Sequence, residues 1–144
     1  MVERHPELRF CLAHCIGFDR RFLEKADALP NVWVDTSALK IQVQAAYENY
    51  AFMARPEDRF DWDYGDHTAV MRSLVNRFPD TILWGSDSPA YTFIVRRYQG
   101  SGSVIDFNLK GTYEQEKAAL DGLPPHLREK VCARNTAAFL FGRP

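Results

Sequence analysis

An apolar run that ends abruptly at a carboxylate constrains this chain more than any other feature. In Ile82-Leu83-Trp84-Gly85-Ser86-Asp87-Ser88-Pro89 a strand-like stretch passes at once into a turn of small residues carrying Asp87. Parallel strands covered on both faces read as continuous apolar runs, and their carboxyl ends open into the loops where α/β folds build their sites. A second run, Leu8 to Ala13, ends as sharply at His14 and is followed by Cys15-Ile16-Gly17. A histidine and an aspartate at two strand tips constitute a candidate metal site.

Between these runs, helical and strand patterns alternate. Asp19 is placed to cap a helix reaching about Leu29, with Phe22, Leu23 and Ala26 on one face, and Pro30 closes it. Val32-Trp33-Val34 forms the next strand and runs into Asp35-Thr36-Ser37; Ile41 to Ala54 then reads as a helix that Arg55-Pro56 breaks. A polar, aromatic loop from Glu57 to Gly65 leads to Asp66, a cap for a helix carrying Val70, Met71, Leu74, Val75 and Phe78. The third strand spans Thr81 to Ser86. From there to about Gly111 the chain reads as one long irregular stretch holding Gly100-Ser101-Gly102-Ser103, the length of a lid or binding loop. The remainder reads as helical: Thr112 with Gln115 resembles a capping box, Pro124 or Pro125 opens the next helix, and Asn135 is placed to cap a last one ending at Gly142.

This alternation requires a parallel sheet with crossover helices, since parallel neighbours need connections of about a dozen residues or more. Three strands cannot close into a barrel of eight. The sheet either stays small and open or is completed by strands outside this sequence.

Composition narrows the partners. With 144 residues, 46% of them hydrophobic, the chain can fill one core, so a single domain over residues 1–144 is expected. Its 18 basic and 19 acidic residues leave a formal charge of −1, without the basic surface that a nucleic-acid backbone needs; the pairs Arg20-Arg21 and Arg96-Arg97 read as solvated surface. The three cysteines, Cys11, Cys15 and Cys132, contain no Cys-x-x-Cys pair, and Cys11 and Cys15 fall in or beside a buried strand, a pattern of a reducing compartment. No apolar run approaches the ~18 residues of a membrane span, and no secretory leader is visible. A cytoplasmic protein with a small-molecule substrate, and neither nucleic acid nor membrane as partner, is the expectation.

Four segments carry a resemblance: Arg4 to His14, Pro30 to Ser37, Ile82 to Pro89, and Asn135-Thr136-Ala137-Ala138-Phe139-Leu140-Phe141-Gly142. Their order and spacing resemble the carboxyl-terminal part of the amidohydrolase-related family, over nearly the whole chain. That resemblance implies an α/β fold that is part of a (β/α)8 TIM barrel, the three strands standing as barrel strands six to eight ahead of a helical tail. It also implies a divalent metal, zinc first, used to hydrolyse C–N or C–O bonds or to decarboxylate a small organic acid, lactone or amide. His14 resembles the family's histidine at the end of strand six, beside the metal, orienting water or substrate. Asp87 resembles the aspartate ending strand eight, a metal ligand or general base. A metal-bound water drops in pKa toward ~7, and a nearby carboxylate can take its proton. Gly85 would leave room for metal or ligand, and Ser86 and Ser88 would hold the carboxylate or touch substrate.

The family's His-x-His of strand one and its histidine of strand five have no counterpart here. His5, His67 and His126 stand in a turn or at helix starts and do not replace them. Catalytic zinc normally takes three protein ligands, so Asp87 with His14 would hold it weakly. The site is therefore expected to be incomplete in one chain and completed in a homo-oligomer or by a complementing chain.

Each of these residues also has a plainer reading. His14 could be a hydrogen-bonded structural residue, and Asp87 could cap a turn. Trp62 and Tyr64 could wall a substrate pocket or fold back onto the core. Asp61, Asp63, Asp66 and His67 resemble a calcium loop in spacing, but the glycine is misplaced and no glutamate closes it, which favours a solvated loop with a helix cap. Asp35 and Ser37 could face the same mouth or serve packing and turn formation. Three functions follow: a part of an amidohydrolase-related enzyme; a non-catalytic interaction module that pairs through open sheet edges; and a small open α/β enzyme using Asp87 as a lone base without metal.

Overall fold

The sheet is built by the runs whose β-branched and aromatic side chains favour extended backbone. In the computed structural model, which describes residues 2–88, 92–98 and 104–142, these are β1 (Phe10–Leu12), β2 (Val32–Asp35) and β3 (Ile82–Leu83). They lie parallel in the order β1-β2-β3, with Phe10 beside Val32, Leu12 beside Val34, and Val34 beside Ile82. Their carboxyl ends therefore share one rim. Helix α1 (Arg20–Asp27) crosses from β1 to β2, and α2 (Leu39–Tyr47) with α3 (His67–Arg77) connects β2 to β3. Asp19 and Asp66 cap α1 and α3 as their positions predict, accepting the Arg21 and Phe22 N–H groups and the Thr68 N–H respectively.

Strand alternation sorts the core. Val32, Val34 and Ile82 join one buried cluster with Leu23, Leu39, Val43, Val70, Met71 and Leu74 from the helices. Trp33 points the other way and meets Phe139 edge-on, ring centroids 5.6 Å apart. Cover on both faces explains why β2 reads as unbroken apolar residues. Cys11, expected to be buried, is exposed, because β1 is a margin strand of the sheet with a neighbour on one side only; Cys15 is fully enclosed.

Three further expectations are corrected. Helix α2 stops at Tyr47, well short of Ala54, because Asn49 adopts a left-handed conformation (φ 55°) that turns the chain toward Gly17, whose carbonyl takes the Ala54 N–H at 3.0 Å. The stretch toward Gly111 is largely an antiparallel hairpin, β4 (Thr92–Tyr98) with β5 (Val104–Lys110), pairing Thr92 with Lys110 and Tyr98 with Val104. The β-branched and aromatic residues in both arms outweigh the loop-like glycines and serines; Gly100 to Ser103, the expected loop centre, lie outside the described residues. Past the hairpin come α4 (Tyr113–Asp121), started by the expected Thr112/Gln115 capping box, and α5 (Pro125–Glu129). A π-helical turn at Lys130–Arg134 then continues directly into α6 (Asn135–Phe141).

Asn135 consequently caps nothing. Its backbone is already helical, and its buried side-chain amide donates to the carbonyls of Pro79 (2.9 Å) and Ile82 (2.7 Å), fastening α6 to the entry of β3. Among the described residues no helix is long and apolar enough to cross a membrane.

Replacing Asn135 by Ala strands two carbonyls at a buried junction, and an unsatisfied buried polar group costs about 1–3 kcal/mol. Urea unfolding of Asn135→Ala should show a loss of about 2–3 kcal/mol relative to the parent chain, against less than 1 kcal/mol for an exposed control such as Asn76→Ala.

Candidate functional site

At the carboxyl end of β1 the chain enters a left-handed turn. His14, Cys15, Ile16, Gly17 and Phe18 have φ of 59°, 52°, 51°, 60° and 61°. Only Gly17 accepts this without cost; left-handed backbone disfavours other residues by roughly 1–2 kcal/mol each. The turn persists because its side chains and backbone are held from several directions. Cys15 and Phe18 are fully buried, Phe18 meets Tyr64 edge-on at 5.3 Å, and the Gly17 carbonyl takes the Ala54 N–H.

Asp35, at the tip of β2, organises the rim. Its Oδ1 accepts the backbone N–H of His14 and that of Ser37, both at 3.0 Å, while the Cys11 and Cys15 thiols lie 3.6 Å from its Oδ2 and its carbonyl. Desolvation of a sulfur that lies against the sheet although the residue as a whole is exposed, with the Asp35 carboxylate second, pushes the Cys11 thiol up to about 12; full burial and Asp35 raise Cys15 well above the usual thiol range. Both sulfurs stay protonated, as hydrogen-bond donors instead of nucleophiles or metal ligands. The half-buried His14 imidazole places Nδ1 3.0 Å from the Ser37 carbonyl oxygen. A carbonyl can only accept, so Nδ1 carries the hydrogen, and in the neutral form of the ring Nε2 keeps its lone pair.

The third tip is tied to the second through Thr36, whose hydroxyl takes the Gly85 N–H at 3.2 Å. The space above Gly85, expected to admit a metal or ligand, is taken by Ser37: a Cβ at Gly85 would lie 2.9 Å from the Ser37 Oγ. Asp87 follows, exposed, with φ of 58°. Ser86 does not hold the Asp87 carboxylate; its Oγ accepts the Ser88 N–H at 3.3 Å, shaping the turn. β1 and β3 flank β2 two strand spacings or about 10 Å apart, and His14 and Asp87 follow their carboxyl ends in the turns beyond. Both occupy left-handed backbone, a conformation that proteins retain mostly where a side chain must be aimed.

One group at this rim left no mark in the sequence pattern. Glu116, in the first turn and a half of α4, is only 1% exposed and accepts the Lys40 N–H at 2.9 Å, at the start of α2. Burial pushes its carboxyl up to about 7, with repulsion from Asp87 adding to the effect and the Lys40 and Leu39 N–H groups opposing it. Glu116 shares the inward face of α4 with Ala119 and Leu120, and the packing of α4 against α2 and α3 encloses it.

Trp62 and Tyr64 fold back onto the core. Trp62 stacks on Phe60 at 4.8 Å, and Tyr64 lies between Phe18 and the Arg59 guanidinium, 5.0 Å from its ring centre. They line two shallow openings of about 220 and 290 Å³ bordered by Arg59; His14 and Asp87 line neither. Asp63 and Asp66 serve the loop and cap, accepting the Gly65 and Thr68 N–H groups, and His67 reaches the Gln115 carbonyl at 3.1 Å. Among the described residues no group of three or more histidine, cysteine, aspartate or glutamate side chains could hold a metal ion. His14 and Asp87 offer two ligands of the types that bind zinc, one fewer than catalytic zinc normally takes from protein.

The buried Glu116 carboxyl makes stability depend on pH. Folding raises its pKa from 4.5 to about 7, so the folded chain holds this proton more tightly than the unfolded one. That contribution is fully present below pH 4.5 and is lost as pH rises through about 7, a fall of about 3 kcal/mol. Thermal unfolding across this range should show that decline in the parent protein and a flatter profile in Glu116→Gln.

No curated protein and no solved structure matches this chain. The sequence model of the family described as amidohydrolase matches residues 1–142, nearly end to end. A chain matched over that length, with parallel strands followed by His14 and Asp87, belongs to the amidohydrolase family.

Proposed function

We propose that this chain contributes the His14 and Asp87 side of a metal-dependent amidohydrolase-type site, acting on a C–N or C–O bond, or a carboxylate, of a small organic acid, lactone or amide. The observation that carries the reading is the Nδ1 bond of His14 to the Ser37 carbonyl. Histidines that bind or face a metal commonly donate their other nitrogen to a carbonyl or carboxylate, which fixes the tautomer and aims the free nitrogen. Asp87, exposed at the same rim, is free to accept a proton from a water or hydroxyl placed over the strand tips. A divalent metal, zinc first, would supply Lewis acidity and an acidified water there. His14 and Asp87 would hold it together with ligands from beyond these strands.

The sheet suggests where those ligands come from. β1 forms one margin of the three-stranded sheet, so its outer backbone groups are open to a further parallel strand. The three strands then stand as strands six to eight of a (β/α)8 barrel whose other strands come from a complementing chain. The same open margin favours an interaction module as the second reading.

Two measurements test the proposal. In the assembled protein, Asp87→Asn should lower turnover by about a hundredfold or more, the usual worth of a general base, with KM little changed; an unchanged rate removes Asp87 from the chemistry. Elemental analysis combined with sedimentation should find metal only in species larger than the 16.6 kDa chain, and less of it in His14→Ala. Large assemblies without metal or turnover would favour the interaction module.

A further inference from the structure

Helix α2 begins under strain and without a cap of its own. Ala38, the residue before its first turn, has φ of 53°, an unfavourable left-handed conformation for alanine, and provides no side-chain acceptor for the N–H groups that every helix start leaves unpaired. The acceptor comes from elsewhere in the fold. The Glu116 carboxylate, from α4, takes the Lys40 N–H at 2.9 Å and faces the Leu39 N–H.

The peptide unit between Ser37 and Ala38 joins this start to the imidazole. Its carbonyl is the acceptor for His14 Nδ1, and its orientation is set on one side by the φ of Ala38. The Ser37 N–H is separately held by Asp35, so the nitrogen side of that residue is fixed and the remaining freedom lies in the carbonyl. Letting Ala38 relax to a right-handed or extended conformation would rotate that carbonyl away from His14. The capture of the first amides of α2 prevents the relaxation.

We infer that Glu116 is a positioning residue for His14: by capping α2 from a different helix it holds Ala38 in its left-handed conformation, keeps the Ser37 carbonyl on Nδ1, and so maintains the tautomer whose Nε2 lone pair is free. The inference rests on the proposed role of His14 only for its catalytic meaning; the tautomer itself is measured without substrate or metal. It differs from a plain capping role, which would support α2 but leave the imidazole indifferent.

Nitrogen-15 NMR of the His14 ring at alkaline pH, where the neutral tautomers are resolved, decides the matter. The parent chain and Glu116→Gln, which keeps an acceptor oxygen, should both show the Nδ1–H form. Glu116→Met, of similar volume and without an acceptor, should lower the ratio of Nδ1–H to Nε2–H by about tenfold, the scale of one carbonyl hydrogen bond. An unchanged ratio in folded Glu116→Met overturns the inference, as does an equal change in the Gln and Met variants. If Glu116→Met does not fold, Ala38→Gly, which frees that residue to leave its left-handed conformation, is read in both the parent and the Glu116→Gln chain: a Lys40 amide unprotected in the parent overturns the proposal, as does an unchanged tautomer ratio in a variant whose Lys40 protection falls, and a joint fall in Lys40 protection and in the Nδ1–H form supports it. Because none of these readings involves turnover, an inactive protein with the expected tautomer would count against the proposed function alone.

Discussion

The Asp35 carboxylate is the interaction on which the rim depends. One oxygen receives the N–H groups of His14 and Ser37, thereby joining the end of β1 to the turn after β2. Without that acceptor two amides at the mouth would need water or a different backbone path. Charge-assisted bonds of this kind are stronger than neutral ones, and here they brace a turn that four non-glycine residues hold in left-handed backbone. Thr36 extends the same bracing to β3 through the Gly85 N–H.

The opposite end of the sheet is fixed by different means. There Asn135 spans from α6 to the two carbonyls flanking the start of β3, and Trp33 packs on Phe139 from the same helix. Side-chain amides and aromatic edges thus secure the amino-terminal end, while a carboxylate secures the carboxyl-terminal rim. Ionisable groups gather at the rim: Asp35, Asp87, His14 and the buried Glu116. Carboxyl groups gathered beside an imidazole, with the Asp87 charge helping to raise the pKa of the buried Glu116, make this rim the part of the fold most sensitive to pH.

Some of this was legible in the residues. The apolar runs before His14, Asp35 and Asp87 announced three strands, and their parallel arrangement followed from helical connections too long for hairpins, although the third strand closes at Leu83 instead of the expected Ser86 and Asp87 lies in the turn beyond it. Asp19, Asp66 and Thr112 announced helix starts because a side-chain oxygen before an apolar-periodic stretch has few other uses. Asn135 misled for the same reason: an asparagine before a helical run looks like a cap, and only the distance to Pro79 and Ile82 in space reveals the other use of its amide. The hairpin was obscured by the glycines and serines near its centre, which mimic a loop. Glu116 was invisible because a glutamate at a helical position is ordinarily solvated, and its burial arises from a contact 76 residues away in sequence.

The amino-acid sequence by itself determined the alternation of strands and helices, the capping residues, and which side chains end the strands, since these depend on neighbours within a few positions. The tertiary structure alone decided that Ser37 fills the space over Gly85, that His14 turns its Nδ1 to the Ser37 carbonyl, and that a carboxylate from α4 caps α2. Those outcomes depend on how separate elements approach one another, and hydrogen bonds between them form only where packing has already excluded water and brought donor and acceptor within about 3 Å.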